Sequence, residues 1–178
     1  NNSANPVLSI RKEGNTPAWG AVFEQYFQEI DKVKGQKGVL SVEKKLFVET
    51  NNGTNRQIRP VTPEQPLRIG DKVIVRLTIR TDREMNYVFL KDLRAGCFEP
   101  ADQLSGPESR DGIWYYRSPK DVSENFFINR LPEGTFVLEY PVYVSRSGEY
   151  AGGISTIQCM YAPEFVSHTA GESLRIMP

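Results

Sequence analysis

The chain has 178 residues, 39% hydrophobic and 25% charged, which suits one large globular domain or one domain with part of another. Its 22 basic residues balance 22 acidic ones without a basic cluster, which argues against nucleic-acid binding, because phosphate contact needs a concentrated cationic face. No apolar run approaches the roughly 20 residues that a membrane-spanning helix requires.

In chain order, the first patterned stretch is TPAWGAVFEQYFQEIDKV, residues 16–33. Trp19, Phe23, Tyr26, Phe27 and Ile30 fit one helical face, whereas Trp19, Ala21, Phe23 and Phe27 fit a strand interrupted at Gln25. Periodicity leaves both open. DKVKGQKG, 31–38, is charged, glycine-containing and poor in apolar residues, and suits a surface loop or a domain linker. Strands are then predicted over 39–48, 72–81, 86–92, 112–118, 125–130, 135–146 and 150–161, with SLRIM (173–177) as a short last strand. In the second of these, Val73, Val75, Leu77 and Ile79 point one way while Lys72, Arg76 and Arg80 point the other, as in a sheet with one buried face. Turn chemistry separates the segments: PEQPLRIGDK, TDREMN, SGPESRDG, LPEGT and SRSGE. Short turns without long helices predict an all-β fold, an antiparallel β-sandwich of fibronectin or immunoglobulin type. Pro141 predicts an edge position or a bulge, since it cannot donate to a ladder.

Chemistry-bearing residues are sparse. Cys97 and Cys159, 62 positions apart, form neither a zinc pattern nor a CxxC motif, and read as buried thiols or one disulfide. The stretch TIQCMYAPEFVSH places Cys159 nine residues before His168, the only histidine, with Glu164 between them. A catalytic Cys and His are ordinarily brought together from distant segments, and Cys159 shares an apolar strand pattern with Ile157 and Tyr161. The stretch therefore reads as scaffold, with Pro163 ending regular pairing and Glu164, Phe165 and His168 in a turn. Asp82, Glu84, Asp92, Glu99 and Asp111 fall mostly at turn-like positions, and no nucleophile elbow, P-loop, dinucleotide fingerprint or metal pattern is present. No catalytic residue, metal site or cofactor is predicted. Aromatics are the richest feature: Trp114, Tyr115 and Tyr116 are consecutive, so alternation sends at least one ring outward, and Phe126–Phe127 repeats the situation. Such rings pack on neighbouring strands, anchor a protein partner or stack on sugars.

Three blocks, PAWGAVFEQYF, GDKVIVRLTIRTDREMNYVFLKDLRAGCFEP and SPKDVSENFFINRLPEGTFVLEYPVYVSRSGEYAGGISTIQCMYAPEFVSH, together resemble the carboxy-terminal end of bacterial alpha-2-macroglobulins of the Bacteroides type. The resemblance covers roughly residues 38–178 and matches their last macroglobulin-like, receptor-binding-like (MG10) domain. It implies that 36–178 form this β-sandwich domain and that 1–35 are a terminal strand segment of the preceding CUB-like β-domain. AWGAVFEQYF is then a strand and 31–38 a linker. It further implies a non-enzymatic module of a protease-trapping protein, located in the periplasm or at the cell surface and lipid-anchored through the full-length chain. The implied partners are the other domains of that chain and, through it, proteases. The thioester signature Cys-x-Glu-Gln is absent here, since Cys97 precedes Phe98-Glu99-Pro100 and Cys159 precedes Met160-Tyr161-Ala162. An export setting and an even count predict a Cys97–Cys159 disulfide. Trp114, Tyr115, Tyr161 and Phe165 are the candidate domain-interface aromatics. A carbohydrate-binding sandwich using the 114–116 aromatics is the alternative, and a hydrolase using Glu164 or His168 a third reading.

Overall fold

The strand alternation predicted for 72–81 is realised except at Ile74, which is buried although it shares the phase of Lys72 and Arg76. Val73, Val75, Leu77 and Ile79 are buried, while the intervening Lys72, Arg76, Thr78 and Arg80 lie toward the outside. The computed structural model describes residues 9–20, 25–52 and 55–178. Among these the chain forms fourteen strands and one 3-10 turn, Ile30–Lys32. The first sheet holds β1 (Leu40–Asn52), β2 (Asn55–Pro60), β4 (Lys72–Thr81), β6 (Phe98–Pro100) and β10 (Gly134–Val144), in the order β2-β1-β4-β10-β6. The second holds β5 (Met85–Leu93), β7 (Gly106–Arg110), β8 (Ile113–Pro119), β9 (Ser123–Leu131), β12 (Ser155–Cys159) and β13 (Ala162–His168), in the order β13-β12-β5-β9-β8-β7. All pairings in these two sheets are antiparallel. β3 (Leu67–Arg68), β11 (Gly148–Ala151) and β14 (Ser173–Met177) make a small third sheet in which β14 and β3 run parallel.

The two large sheets face each other across one core, the arrangement of an immunoglobulin-like sandwich. Val42, Leu46, Leu77, Leu138 and Val142 come from the first sheet; Val88, Leu90, Phe126, Ile128 and Ile157 come from the second. Pro141 sits where the sequence allows it. On β10 the main-chain groups of Val137 and Pro141 face away from β4, and on that side the short β6 pairing at Val142–Val144 ends with the Ala101 N–H donating to the Pro141 carbonyl at 3.4 Å. Pro141 thus stands at the last position of that short pairing, where its missing N–H costs one ladder bond at most, and the Val137 N–H is satisfied by Asp111 Oδ2 at 3.2 Å.

Three expectations need correction. Residues 150–161 are two strands, because Gly152–Gly153 breaks them: Gly153 has φ +73°, and a Cβ there would lie 2.2 Å from the Leu93 carbonyl oxygen. Residues 162–168 are strand, not turn. Pro163 is tolerated because β13 is the outermost strand, and the pairing shifts register between Gln158 and Cys159. The turn-like SGPESRDG contains β7, a polar edge strand beside β8, and PEQPLRIGDK contains β3. Ala18–Gly20 and Gln25–Phe27 pair with no strand among the described residues, and residues 21–24 of that expected strand lie outside them.

Candidate interaction surface and buried polar core

Two outer faces of the sandwich differ in chemistry. On the first sheet the outward positions carry the ion pairs Lys72–Glu49 at 2.8 Å and Arg76–Glu139 at 2.6 Å, and Arg110 reaches Glu139 from β7 of the second sheet at 2.7 Å. Partial burial alone would raise the Glu139 pKa, but hydrogen bonds from Arg76 and Arg110 outweigh it and hold the carboxyl below its ordinary value. On the second sheet, registered pairing sets Tyr116 beside Phe127 and Phe127 beside Phe89. Phe89 and Phe127 stack at 4.9 Å, and Trp114 extends the row two residues along β8. Trp114 is 71% exposed, and Tyr116 and Phe127 are also open to solvent. A contiguous aromatic row across three strands of a sheet face is an interaction surface rather than scattered apolar residues.

Alternation that turns Trp114 and Tyr116 outward turns Tyr115 inward. At 6% exposure it packs edge-on against Phe126 and donates its hydroxyl to Glu108 Oε2 at 3.0 Å. Tyr115 is therefore a core residue and not an interface aromatic. Burial, then the Glu108 carboxylate, pushes its pKa up to about 12. Tyr161 was expected on an inner face, but the β12–β13 turn leaves it 79% exposed, edge-on to Tyr87 at 5.2 Å. Phe165 is half-buried against the core, with the Arg83 guanidinium 5.8 Å from its ring centre. The expected aromatics thus split into one core residue and three at separate places on the second sheet. Phe127 and Phe89 complete the row with Trp114. Cross-strand register, which no single strand reveals, is what identifies them.

The two cysteines and the histidine are held apart. Cys97 and Cys159 are both free and buried, so the expected disulfide is not formed. Cys159 pairs with Val88 near the start of β5, and its thiol donates to the Asn86 carbonyl at 3.2 Å. Cys97 follows the far end of that strand, its carbonyl accepting from Ser145. About five residues of extended β5 separate the two sites, some 16 Å of chain, well beyond disulfide reach. Burial pushes the Cys97 thiol up to about 11. His168 is registered opposite Thr156 while Cys159 is opposite Ala162, so the two are at opposite ends of the β12–β13 pair. The histidine Nδ1 lies 3.1 Å from the Thr169 carbonyl oxygen. Among the described residues no group of three or more His, Cys, Asp or Glu side chains is placed to hold a metal. No helix among them is long and apolar enough to cross a membrane.

The titratable residues instead converge inside the sandwich. Asp92, expected at a turn, lies in β5 and is fully buried. It accepts from Lys44 Nζ at 2.8 Å, Ser155 Oγ at 2.8 Å and the Tyr140 hydroxyl at 2.5 Å. Lys44 also donates to the carbonyls of Leu93 and Gly152. Burial, then the neighbouring Asp92 charge, raises the Tyr140 pKa well above its ordinary value. Alongside, Arg117 Nε donates to Glu124 Oε1 at 2.7 Å, and Arg94 hydrogen-bonds the Lys120 and Ser123 carbonyls. Burial raises the Glu124 pKa, with Arg117 opposing it. The Asp92 network, reaching from β5 and β12 to Lys44 of β1 and Tyr140 of β10, binds the two sheets to one another, whereas the Arg117, Glu124 and Arg94 contacts lie within the second sheet and its connections. Their signal in the sequence is phase: Lys44 alternates with Val42 and Leu46, and Asp92 with Val88 and Leu90.

Comparison with known proteins accords with this picture. Residues 40–164 match the family described as the bacterial alpha-2-macroglobulin MG10 domain. Salmonella alpha-2-macroglobulin reacted with methylamine is similar in fold, with TM-score 0.63 and 21% identity over 82% of this chain and 10% of that one. Escherichia coli alpha-2-macroglobulin activated by porcine elastase is similar too, with TM-score 0.63, 18% identity, and coverage of 82% of this chain and 14% of that one. Among curated proteins, circularly permutated Ras protein 2 of Dictyostelium discoideum is 28% identical over 109 residues, 61% of this chain and 3% of that protein. The chain thus spans a small fraction of each relative. With its family matched over more than two thirds of its length, the chain belongs to the bacterial alpha-2-macroglobulin MG10 domain family.

Proposed function

We propose that the chain is a non-catalytic docking module of an alpha-2-macroglobulin-like protein that traps proteases. The observation that carries this reading is the row Trp114, Tyr116, Phe127 and Phe89 on one outer face, set against an ion-paired opposite face. A module that must hold a fixed pose in a larger assembly needs a rigid sandwich and one apolar face that loses water on docking. The dispersed chemistry of Cys159, Glu164 and His168 supports a non-enzymatic role. On this reading residues 1–35 belong with a preceding β-domain, with 36–178 as the module. The parent protein is lipid-anchored in the periplasm or at the cell surface, and its protease-sensing parts lie outside this chain. The test is protease trapping by the full-length parent carrying Trp114→Ala and Phe127→Ala. Trapping should fall at least tenfold while the chain alone stays folded; unchanged trapping refutes the docking role.

The exposed row also suits the stacking of sugar rings, which gives the second reading, a carbohydrate-binding sandwich. Glycan binding that vanishes with Trp114→Ala would establish it, and no retained glycan would count against it.

A further inference from the structure

The first sheet has an unfilled strand position. β2 pairs with β1 only from Phe47 onward, and at Leu46 the chain turns away after the Val61 N–H meets the Leu46 carbonyl. Because Leu46 directs its main-chain groups to that side, alternation directs those of Val42 and Lys44 there too, away from β4. Opposite them runs β14. Glu172 gives its carbonyl to Gly152 on the β11 side and Met177 gives its carbonyl to Ile69 on the β3 side, so the main-chain groups of Ser173 and Arg175 face the gap. β3 is too short to cover them, pairing only at Ile176 and Met177. The gap is a groove of two contiguous parts, about 400 Å³ and 850 Å³, which share Lys44, Lys45, Leu46, Glu172 and Leu174.

We propose that this groove accepts one extended strand of a separate polypeptide, with apolar side chains alternating with acidic ones. Main-chain donors and acceptors on both walls, from Val42 and Lys44 and from Ser173 and Arg175, match an extended backbone, which is the recognition mode of strand addition. Val42, Leu46 and Leu174 form an apolar lining for the inward side chains. On the walls Lys45 and Arg175 make no ion pair among the described residues, although Arg175 stands opposite Glu149 of β11, whereas Glu43 is engaged by Lys37 and Arg80. The groove lining carries Lys37, Lys44, Lys45 and Arg175 against Glu43 and Glu172, an excess of cations that favours an acidic strand. The inference goes beyond the docking face described above, which lies on the other sheet.

Hydrogen exchange followed by NMR tests it with the free chain and a synthetic blocked peptide, Ac-Glu-Val-Glu-Val-Glu-Val-Glu-amide. In the free chain the Val42 and Lys44 amides should exchange at least tenfold faster than those of Glu43 and Lys45, which bond to β4. Saturating peptide should slow the Val42 and Lys44 amides at least tenfold, and Lys45→Glu with Arg175→Glu should weaken peptide binding at least tenfold. Slow exchange at Val42 and Lys44 without peptide overturns the open edge. Peptide shifts confined to other residues, no saturation, or protection that grows with protein concentration alone, as a second copy filling the groove would give, each overturn the proposal.

Discussion

Removing Asp92 should cost the sandwich more than removing any exposed acid, and the structure sets the size of the effect. Asp92→Ala leaves three donors inside the core: Lys44 Nζ, the Tyr140 hydroxyl and Ser155 Oγ. Breaking a buried ion pair by deleting one partner costs about 3–5 kcal/mol. Lys44 retains the Leu93 and Gly152 carbonyls and borders the groove, so the loss belongs at the low end, about 3 kcal/mol. For a chain of this size that corresponds to a fall in Tm of about 6–12 °C. Because the charge left on Lys44 is part of the cost, Lys44→Met combined with Asp92→Ala should be less destabilised than the two single changes summed, by about 1–3 kcal/mol. The assay is urea denaturation of the four proteins in a double-mutant cycle, read as midpoints at constant m-value. A loss below about 1 kcal/mol for Asp92→Ala, or strict additivity, refutes the view that this network joins the sheets.

Other consequences follow from the same core. Tyr140, Tyr115 and Cys97 all have raised folded-state pKa values, so the folded chain keeps protons that the unfolded chain releases. Their contribution is complete below pH 9, where both states are protonated, and is lost as pH rises through about 9 to 12. Tyr140→Phe should flatten that alkaline decline in a chemical-denaturation series; an unchanged slope contradicts the assignment. Thiol titration without reductant should find two free thiols per unfolded chain and almost none reactive in the native one, whereas a disulfide would leave none in either. Gly153→Ala should lower stability by about 2 kcal/mol or more, because φ +73° and the Leu93 carbonyl exclude a Cβ; a Tm within a degree of the parent value would count against this.

The strands that were legible in the sequence are those with one apolar and one polar face. β4 and β14 fall at the predicted limits because burial on one side imposes a period of two. β7 was hidden because an edge strand between solvent and β8 needs no apolar face, so Gly106–Arg110 reads as turn. β13 was hidden by Pro163, whose missing N–H matters only if the strand has neighbours on both sides. The resemblance named the family, yet it did not supply partners for the segment around Trp19 and Phe27, which lie exposed outside the sandwich. Among the expected docking aromatics, the failure at Tyr115 is instructive. Three consecutive rings on a strand cannot share a face, and only the positions of Ile113 and Arg117, inward like Tyr115, fix which ones are buried. The polar core was misjudged for a similar reason: Lys44 and Asp92 are core residues by phase, and residue type alone assigned Asp92 to a turn.

Docking in the parent protein should cover the outer aromatic row of the second sheet. Hydroxyl-radical footprinting of Trp114, Tyr116 and Phe127, compared between the isolated chain and the full-length protein, measures this directly. Labelling of these three should fall at least fivefold in the full-length protein, while Tyr143 on the first sheet changes little. Equal labelling of the row in both would contradict it.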